Sequence, residues 1–298
     1  MLFDTSNILI DTIANDCLNE KNIHLSVVRL DKIHPVVSGN KLFKLHYFLQ
    51  EAIASSMPGL LSFGGAYSNH LVATAYSCKI KNLKSIGIVR GEKPLKLSPT
   101  LKACIAYGMQ LHFIAREVYN KKEESDFLKN FPDEWKKYQL VPEGGYHPKG
   151  AAGAAFINNF IEEDTTHICA AVGTATTLVG LIAGAKKKQQ VIGLPVLKGM
   201  TDIAERVACL TNSTHPFQLL EGYHFGGYAK KTPALIDFMN DLYQQYKVPT
   251  DFVYTAKMMF GVLDSIKKDF FAPGSKITCV HTGGLQGNIS LPLGTLIF

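Results

Sequence analysis

Apolar and polar residues follow two rhythms along this chain. Six short runs are apolar almost throughout: GLLSFGG (59–65), LKSIGIVRG (83–91), MQLHFIA (109–115), THICAAVG (166–173), QVIGLPVL (190–197) and KITCVHTGG (276–284). Around them lie segments with helical periodicity: KLFKLHYFLQEAIASS (41–56), SNHLVATAYSCKI (68–80), TLKACIAYG (100–108), GAAGAAFINNFIEE (150–163), TTLVGLIAGAKKK (176–188), TPALIDFMNDLYQQYK (232–247) and AKMMFGVLDSIKKDF (256–270). Strands without a polar face, separated by helices, predict an α/β fold of parallel sheets covered on both sides. The stretch REVYNKKEESDFLKNFPDEWKKYQ (116–139) is the most charged and reads as a solvated helix and turn.

A chain of 298 residues is long for one core and predicts two domains. The glycines and proline of EGGYHPKG place one crossing near Glu143–Gly150, and a second is expected near residue 50. Residues 1–50 and 146–298 would form the larger domain and residues 51–145 a smaller inserted one.

Composition narrows the class. No run approaches the roughly 20 apolar residues of a membrane span. The first twenty residues, MLFDTSNILIDTIANDCLNE, are acidic and lack a small-residue cleavage pattern, so no secretory leader is expected. Six scattered cysteines without a C-x-x-C pair read as reduced core thiols of a cytoplasmic protein, with no metal site expected. The net charge of +6 carries no aromatic-interleaved basic stripe, which argues against nucleic acid. Its densest run, Lys186–Lys188, is expected on the last turn of a helix, where cations suit the dipole.

Four segments can carry chemistry. In SGNKLFKL, Ser38 or Asn40 could cap a helix whose first turn holds Lys41; partial desolvation there would lower the amine's pKa and free it to attack an aldehyde. In SFGGAYSNH, Gly64 and Gly65 would let backbone approach a ligand, with Ser68 and Asn69 opening the next helix. His70 reads as a packed or capping histidine. Ser68 is outside any G-x-S-x-G elbow, which argues against a serine hydrolase. In VGTATTLVG, the backbone and hydroxyls of Gly173–Thr177 form an anion site; without a following lysine or a G-x-G-x-x-G it suits a phosphate monoester. In VYTAKMM and HTGG, Tyr254 and Thr255 begin a helix and His281–Gly284 end a strand; the Tyr254 phenol could move protons. Met258, Met259 and Leu263 read as core.

The order of the blocks SGNKLFKL, FGGAYSNH, VGTATT, GGYAK, VYTAKMM and HTGG, over roughly residues 22–290, resembles the pyridoxal-phosphate enzymes of the tryptophan synthase β-like fold. Within them it is most similar to the 1-aminocyclopropane-1-carboxylate deaminase and D-cysteine desulfhydrase family. The resemblance implies a smaller domain inserted in a larger one and pyridoxal 5'-phosphate as cofactor. Lys41 would hold the cofactor and return protons to the substrate carbon, and Asn69 would bond the phenolic oxygen. Gly173, Thr174, Ala175, Thr176 and Thr177 would cradle the phosphate. Ser68 would meet the substrate carboxylate and relay a proton. Tyr254 and Tyr228 would face the substrate, and Thr282 would complete the cofactor shell. A small amino acid is the implied substrate and a homodimer the implied assembly.

Thr255 is informative, because deaminases of the family carry glutamate after the tyrosine, which keeps the ring nitrogen protonated. A hydroxyl gives a weaker electron sink, favouring loss of a β-thiolate over opening of a cyclopropane. The expected activity is β-elimination from D-cysteine or a related amino acid. The alternatives are 1-aminocyclopropane-1-carboxylate deamination and a cofactor-binding module without turnover. The chain departs from the family pattern at Phe43, where a basic residue is common, and at Val28-Arg29-Leu30-Asp31. Both departures are expected to bear on the substrate pocket.

Overall fold

A computed structural model describes residues 3–34, 37 and 39–298 of the chain; Ser38, a candidate cap, lies outside the described residues. Among the described residues, ten strands form two sheets. The strands are β1 (Leu9–Ile13), β2 (His24–Arg29), β3 (Gly59–Gly64), β4 (Lys84–Arg90), β5 (Met109–Ile114), β6 (Gln139–Val141), β7 (His167–Val172), β8 (Gln190–Pro195), β9 (Phe217–Leu219) and β10 (Lys276–His281). The α-helices are α1 (Asp16–Glu20), α2 (Asn40–Ala54), α3 (Asn69–Ile80), α4 (Pro99–Ala106), α5 (Arg116–Tyr119), α6 (Pro148–Ala155), α7 (Thr176–Gly184), α8 (Ile203–Leu210), α9 (Pro233–Tyr246) and α10 (Thr255–Lys267).

The larger sheet runs β1-β2-β10-β7-β8-β9, parallel except for the outer β1, which pairs antiparallel with β2. The smaller sheet runs β5-β4-β3-β6 and is parallel throughout. All six strands expected from apolar runs are present. The doubly covered sheets explain their sequences: β3 is buried at every position, and β7 and β10 at every position but the first. One core runs between the sheets, joining Leu60 and Val141 of the smaller to Val28, Ile168 and Val280 of the larger through α2, α6 and α7. Small residues permit that approach. A Cβ at Gly153 would strike the Phe43 carbonyl, and one at Gly180 would meet Ala154, so α2, α6 and α7 pack almost backbone to backbone.

Several expectations need correction. The 116–139 stretch is not simply solvated: Tyr119, Phe127 and Trp135 are buried against Leu61, Phe63, Ile86 and Ile88, with Phe131 stacked on Trp135. Short 3-10 turns let aromatic residues cover the sheet between charged ones that face water. Lys186–Lys188 follow α7 rather than end it. The helix stops at Gly184 against the Asn158 side chain, and Lys186 pairs with Glu163 at 2.6 Å. The family departures are also structural. Phe43 is fully buried, edge-on to Phe160 at 6.1 Å. Arg29 joins β1 to β2 by bonding Asp11 (2.5 Å) and Asp31 (2.6 Å), and Asp31 lies 3.1 Å from His281 of β10.

Candidate active site

The start of α2 sits on the end of β10. Gly39, at φ 85, is the cap of α2, and Asn40 is the first residue of the helix rather than its cap. A Cβ on Gly39 would strike the Thr282 carbonyl, which accepts from the Asn40 N–H at 3.2 Å. Glycine is required here on two grounds, the left-handed backbone and the close approach. Asn40 is instead a buried bridge. Its Nδ2 donates to Thr177 Oγ1 at 2.6 Å, and its Oδ1 accepts from Lys41 Nζ at 2.6 Å.

Burial lowers the Lys41 pKa to about 8, against the opposing pull of the Asp251 carboxylate. The expected desolvated amine is therefore present. A second one, not foreseen, stands one turn later: Lys44 is buried and donates to the Gly144 carbonyl at 3.1 Å. Burial, and then the charge of Lys41, hold its amine well below the ordinary lysine range. Its position among Leu42, Phe43, Leu45 and Phe48 on a buried helix was the available signal.

Opposite the two amines, β7 ends at Val172 and α7 begins at Thr176. Ala175 turns left-handed (φ 64) between them, and Thr174 Oγ1 lies 3.0 Å from Thr176 Oγ1. A non-glycine residue in this conformation costs about 1–2 kcal/mol, a strain that gathers the loop at the helix start. Gly144 (φ 65) closes the cup from the other side. A Cβ there would come within 2.9 Å of Thr174 Cγ2.

The start of α3 supplies Ser68 and Asn69. Ser68 caps the helix by accepting from Leu71 N–H at 3.2 Å. A Cβ on Gly64 would overlap the Ser68 side chain, so this glycine makes room for the serine rather than for a ligand. The Asn69 Oδ1 is buried with no hydrogen-bond partner among the described residues. His70 is packed, as expected, and burial plus the amines of Lys41 and Lys44 lower its pKa to about 3.

The last wall comes from α10 and β10. Tyr254 precedes α10, and burial, with Tyr228 and Asp251 adding to it, holds its phenol well above the ordinary range. The Tyr228 and Tyr254 rings meet edge to face at 6.4 Å. Thr255 is fully buried and already bonded: its Oγ1 donates to Asp251 Oδ1 and accepts from the Asp251 N–H, both at 2.8 Å. The Asp251 carboxylate also accepts from the N–H groups of Val253, Tyr254 and Thr255, each at 2.9 Å.

One cavity collects most of these parts, but the expected Ser68 and Asn69 are not among its walls. Its walls hold the expected Lys41, Gly173, Thr174, Ala175, Thr177, Tyr254 and Thr282, together with Asn40, Lys44, Gly144, Ala171, Val172 and Leu178. Thr176 stands behind Thr174, Tyr228 behind Tyr254, and Thr255 behind the wall on Asp251. The donor set fits pyridoxal phosphate. Threonine hydroxyls and a helix start suit a phosphate monoester, and a buried amine suits its aldehyde.

Comparison with known proteins agrees. The model of the pyridoxal-phosphate dependent enzyme family matches residues 18–283. A putative 1-aminocyclopropane-1-carboxylate deaminase of Thermotoga maritima is 29% identical over 91% of this chain and 92% of its own length. A bifunctional D-cysteine desulfhydrase/1-aminocyclopropane-1-carboxylate deaminase of Arabidopsis thaliana is 29% identical over 84% of this chain and 70% of its own. The crystal structure of an ACC deaminase homologue superposes with a TM-score of 0.78 at 24% identity, covering 97% of this chain and 92% of that one. Its fold, like that of a tomato threonine deaminase isoform (TM-score 0.66), is the tryptophan synthase β-like fold. The chain belongs to the pyridoxal-phosphate dependent enzymes, and its cofactor is pyridoxal 5'-phosphate.

Proposed function

We propose that the chain is a lyase that removes the β-substituent and amino group of D-cysteine or a close analogue, yielding a 2-oxo acid, ammonia and sulfide. The observation that carries this reading is the absence, among the described residues of the cavity wall, of any carboxylate for the ring nitrogen. Thr282, on the cavity wall, would offer the ring nitrogen a neutral hydroxyl. The nearby carboxylate, Asp251, is filled by three backbone N–H groups and the Thr255 hydroxyl. The argument from a hydroxyl partner thus passes from Thr255 to Thr282.

When bound, the cofactor supplies the electron sink. Lys41 would hold it and, with its amine pKa lowered to about 8 by burial, would take the α-proton. Lys44 would offer the phosphate an amine donor beside the hydroxyls of Thr174, Thr176 and Thr177, with Gly173 and Ala175 shaping the loop. Asn69 orients the ring, and Ser68 at the start of α3 receives the substrate carboxylate. Tyr254 keeps its proton at neutral pH and donates it to the departing thiolate, with Tyr228 packed against it.

The same reading takes residues 51–145 as a smaller domain, since the four strands of the smaller sheet fall between residues 59 and 141. It also takes the enzyme as a cytoplasmic homodimer, for which the exposed Leu9 and Ile10 on the outer β1 are candidate contacts. Among the described residues no helix is long and apolar enough to cross a membrane.

The test is 2-oxo acid release by cofactor-loaded protein, comparing D-cysteine with 1-aminocyclopropane-1-carboxylate. Release from D-cysteine alone is expected. Release from the cyclopropane would overturn the argument from the neutral hydroxyl and make the chain a deaminase.

A further inference from the structure

The segment that carries Tyr228 is built unlike the other loops. Over five residues, Phe225 (φ 49), Gly226 (φ 91), Gly227 (φ 113) and Ala229 (φ 53) all adopt left-handed backbone, and two of them bear side chains. Such a run is costly and persists only where its surroundings hold it. The carbonyls of this turn face a buried cation. Lys257, 1% exposed, donates from Nζ to the His224 carbonyl at 2.8 Å and to the Gly227 carbonyl at 2.7 Å.

Lys257 lies in the first turn of α10, three residues after the wall residue Tyr254. The turn is fastened to the same helix at two further points. Tyr223 Oη donates to Asp264 Oδ2 at 2.7 Å, and Phe225 meets Phe260 edge to face at 5.0 Å. Those anchors hold the start of the segment. The ammonium holds the residue immediately before Tyr228, whose ring contacts Tyr254. The solvated alternative for a lysine, a head group in water, is not taken here.

We propose that Lys257 is the positioning residue for Tyr228: its ammonium ties the strained 224–229 turn to α10 and so sets the place of the tyrosine against Tyr254. This rests on the reading that Tyr228 faces the substrate, although the tie itself does not. Without the ammonium each carbonyl would keep only its backbone donor, the Gly227 N–H at 2.9 Å on His224 and the Lys230 N–H at 3.2 Å on Gly227, and loss of the buried charged donor would favour an opened turn.

The experiment compares Lys257→Met and Lys257→Arg with the parent in two readouts. Hydrogen exchange of the Gly227 and Lys230 amides, followed in the protein as purified, is expected to quicken about tenfold or more in Lys257→Met. The α10 amides should be unchanged, and Lys257→Arg should restore most of the protection. Unchanged exchange at Gly227 would overturn the tie. The second readout is a double-mutant cycle on turnover of D-cysteine with Tyr228→Phe. If Lys257 acts through Tyr228, Lys257→Met lowers kcat/KM in the parent but has little further effect beside Tyr228→Phe. Additive losses would overturn the positioning role while leaving the tie intact. A protein that shows the exchange change but turns over no D-cysteine refutes the proposed substrate and not the tie.

Discussion

At the residue scale the site depends on lowering the pKa of an amine so that more of it is uncharged near neutral pH. Lys41 meets this by burial. The sign of its pH dependence follows. Only the neutral amine attacks an aldehyde, so cofactor uptake by stripped protein should accelerate as pH rises to about 8 and then level off. A lysine with the ordinary value would keep accelerating to about pH 10. Stopped-flow absorbance across that range separates the two, and borohydride reduction with peptide mapping should put the label on Lys41; a label on Lys44 would reassign the roles of the pair. Lys41 was legible because it stands in a motif. Lys44 was not, because a lysine inside an apolar helix ordinarily extends its stem and frees its charge, and nothing local shows that the Gly144 carbonyl, one hundred residues on, receives it.

At the scale of elements, legibility followed burial on both faces. The continuous apolar runs of β3, β4, β7, β8 and β10 show a parallel interior strand plainly. β1, LIDTI, lies at an edge with three of five residues exposed, and β6 and β9 are three residues each, too short for a period to register. The turns were read less well than the strands. Gly64 was expected to make room for a ligand, and it makes room for Ser68. Gly64→Ala should therefore force Ser68 out of its cap and press on Leu71, at a cost of about 1–3 kcal/mol. Thermal unfolding with and without cofactor checks this. An equal loss in both states is expected, whereas a loss confined to the loaded protein would mean that the glycine serves the ligand after all.

At the scale of the whole molecule, the active site gathers residues from Gly39 to Thr282, and the sheet order explains how. β10, near the end of the chain, occupies the third position of the larger sheet, between β2 and β7. It places Thr282 under the start of α2 and His281 beside Asp31. Burial raises the Asp31 carboxyl pKa, but His281 and Arg29 outweigh it and hold the group below its ordinary value. Apolar runs alone could show that β10 is interior, but not which neighbours it takes. Sheet order is a property of crossovers between segments some 250 residues apart, and neither the periodicity nor the family resemblance was read as far as a strand order.

The central place of β10 also sets a schedule for biosynthesis. On the ribosome β2 emerges early and β7 much later, yet each keeps an open edge until residues 276–281 arrive to pair with both. Non-local pairing of this kind is slow and exposes unpaired edges meanwhile. A chain ending at residue 275 should contain nine of the ten strands and still fail to join the β1-β2 pair to β7-β8-β9. It is expected in the insoluble fraction and without cofactor absorbance, and a soluble, cofactor-binding fragment would contradict this. Translation interrupted before residue 276 would leave the two parts of the larger sheet unjoined, and help from holdase chaperones would matter until β10 is made.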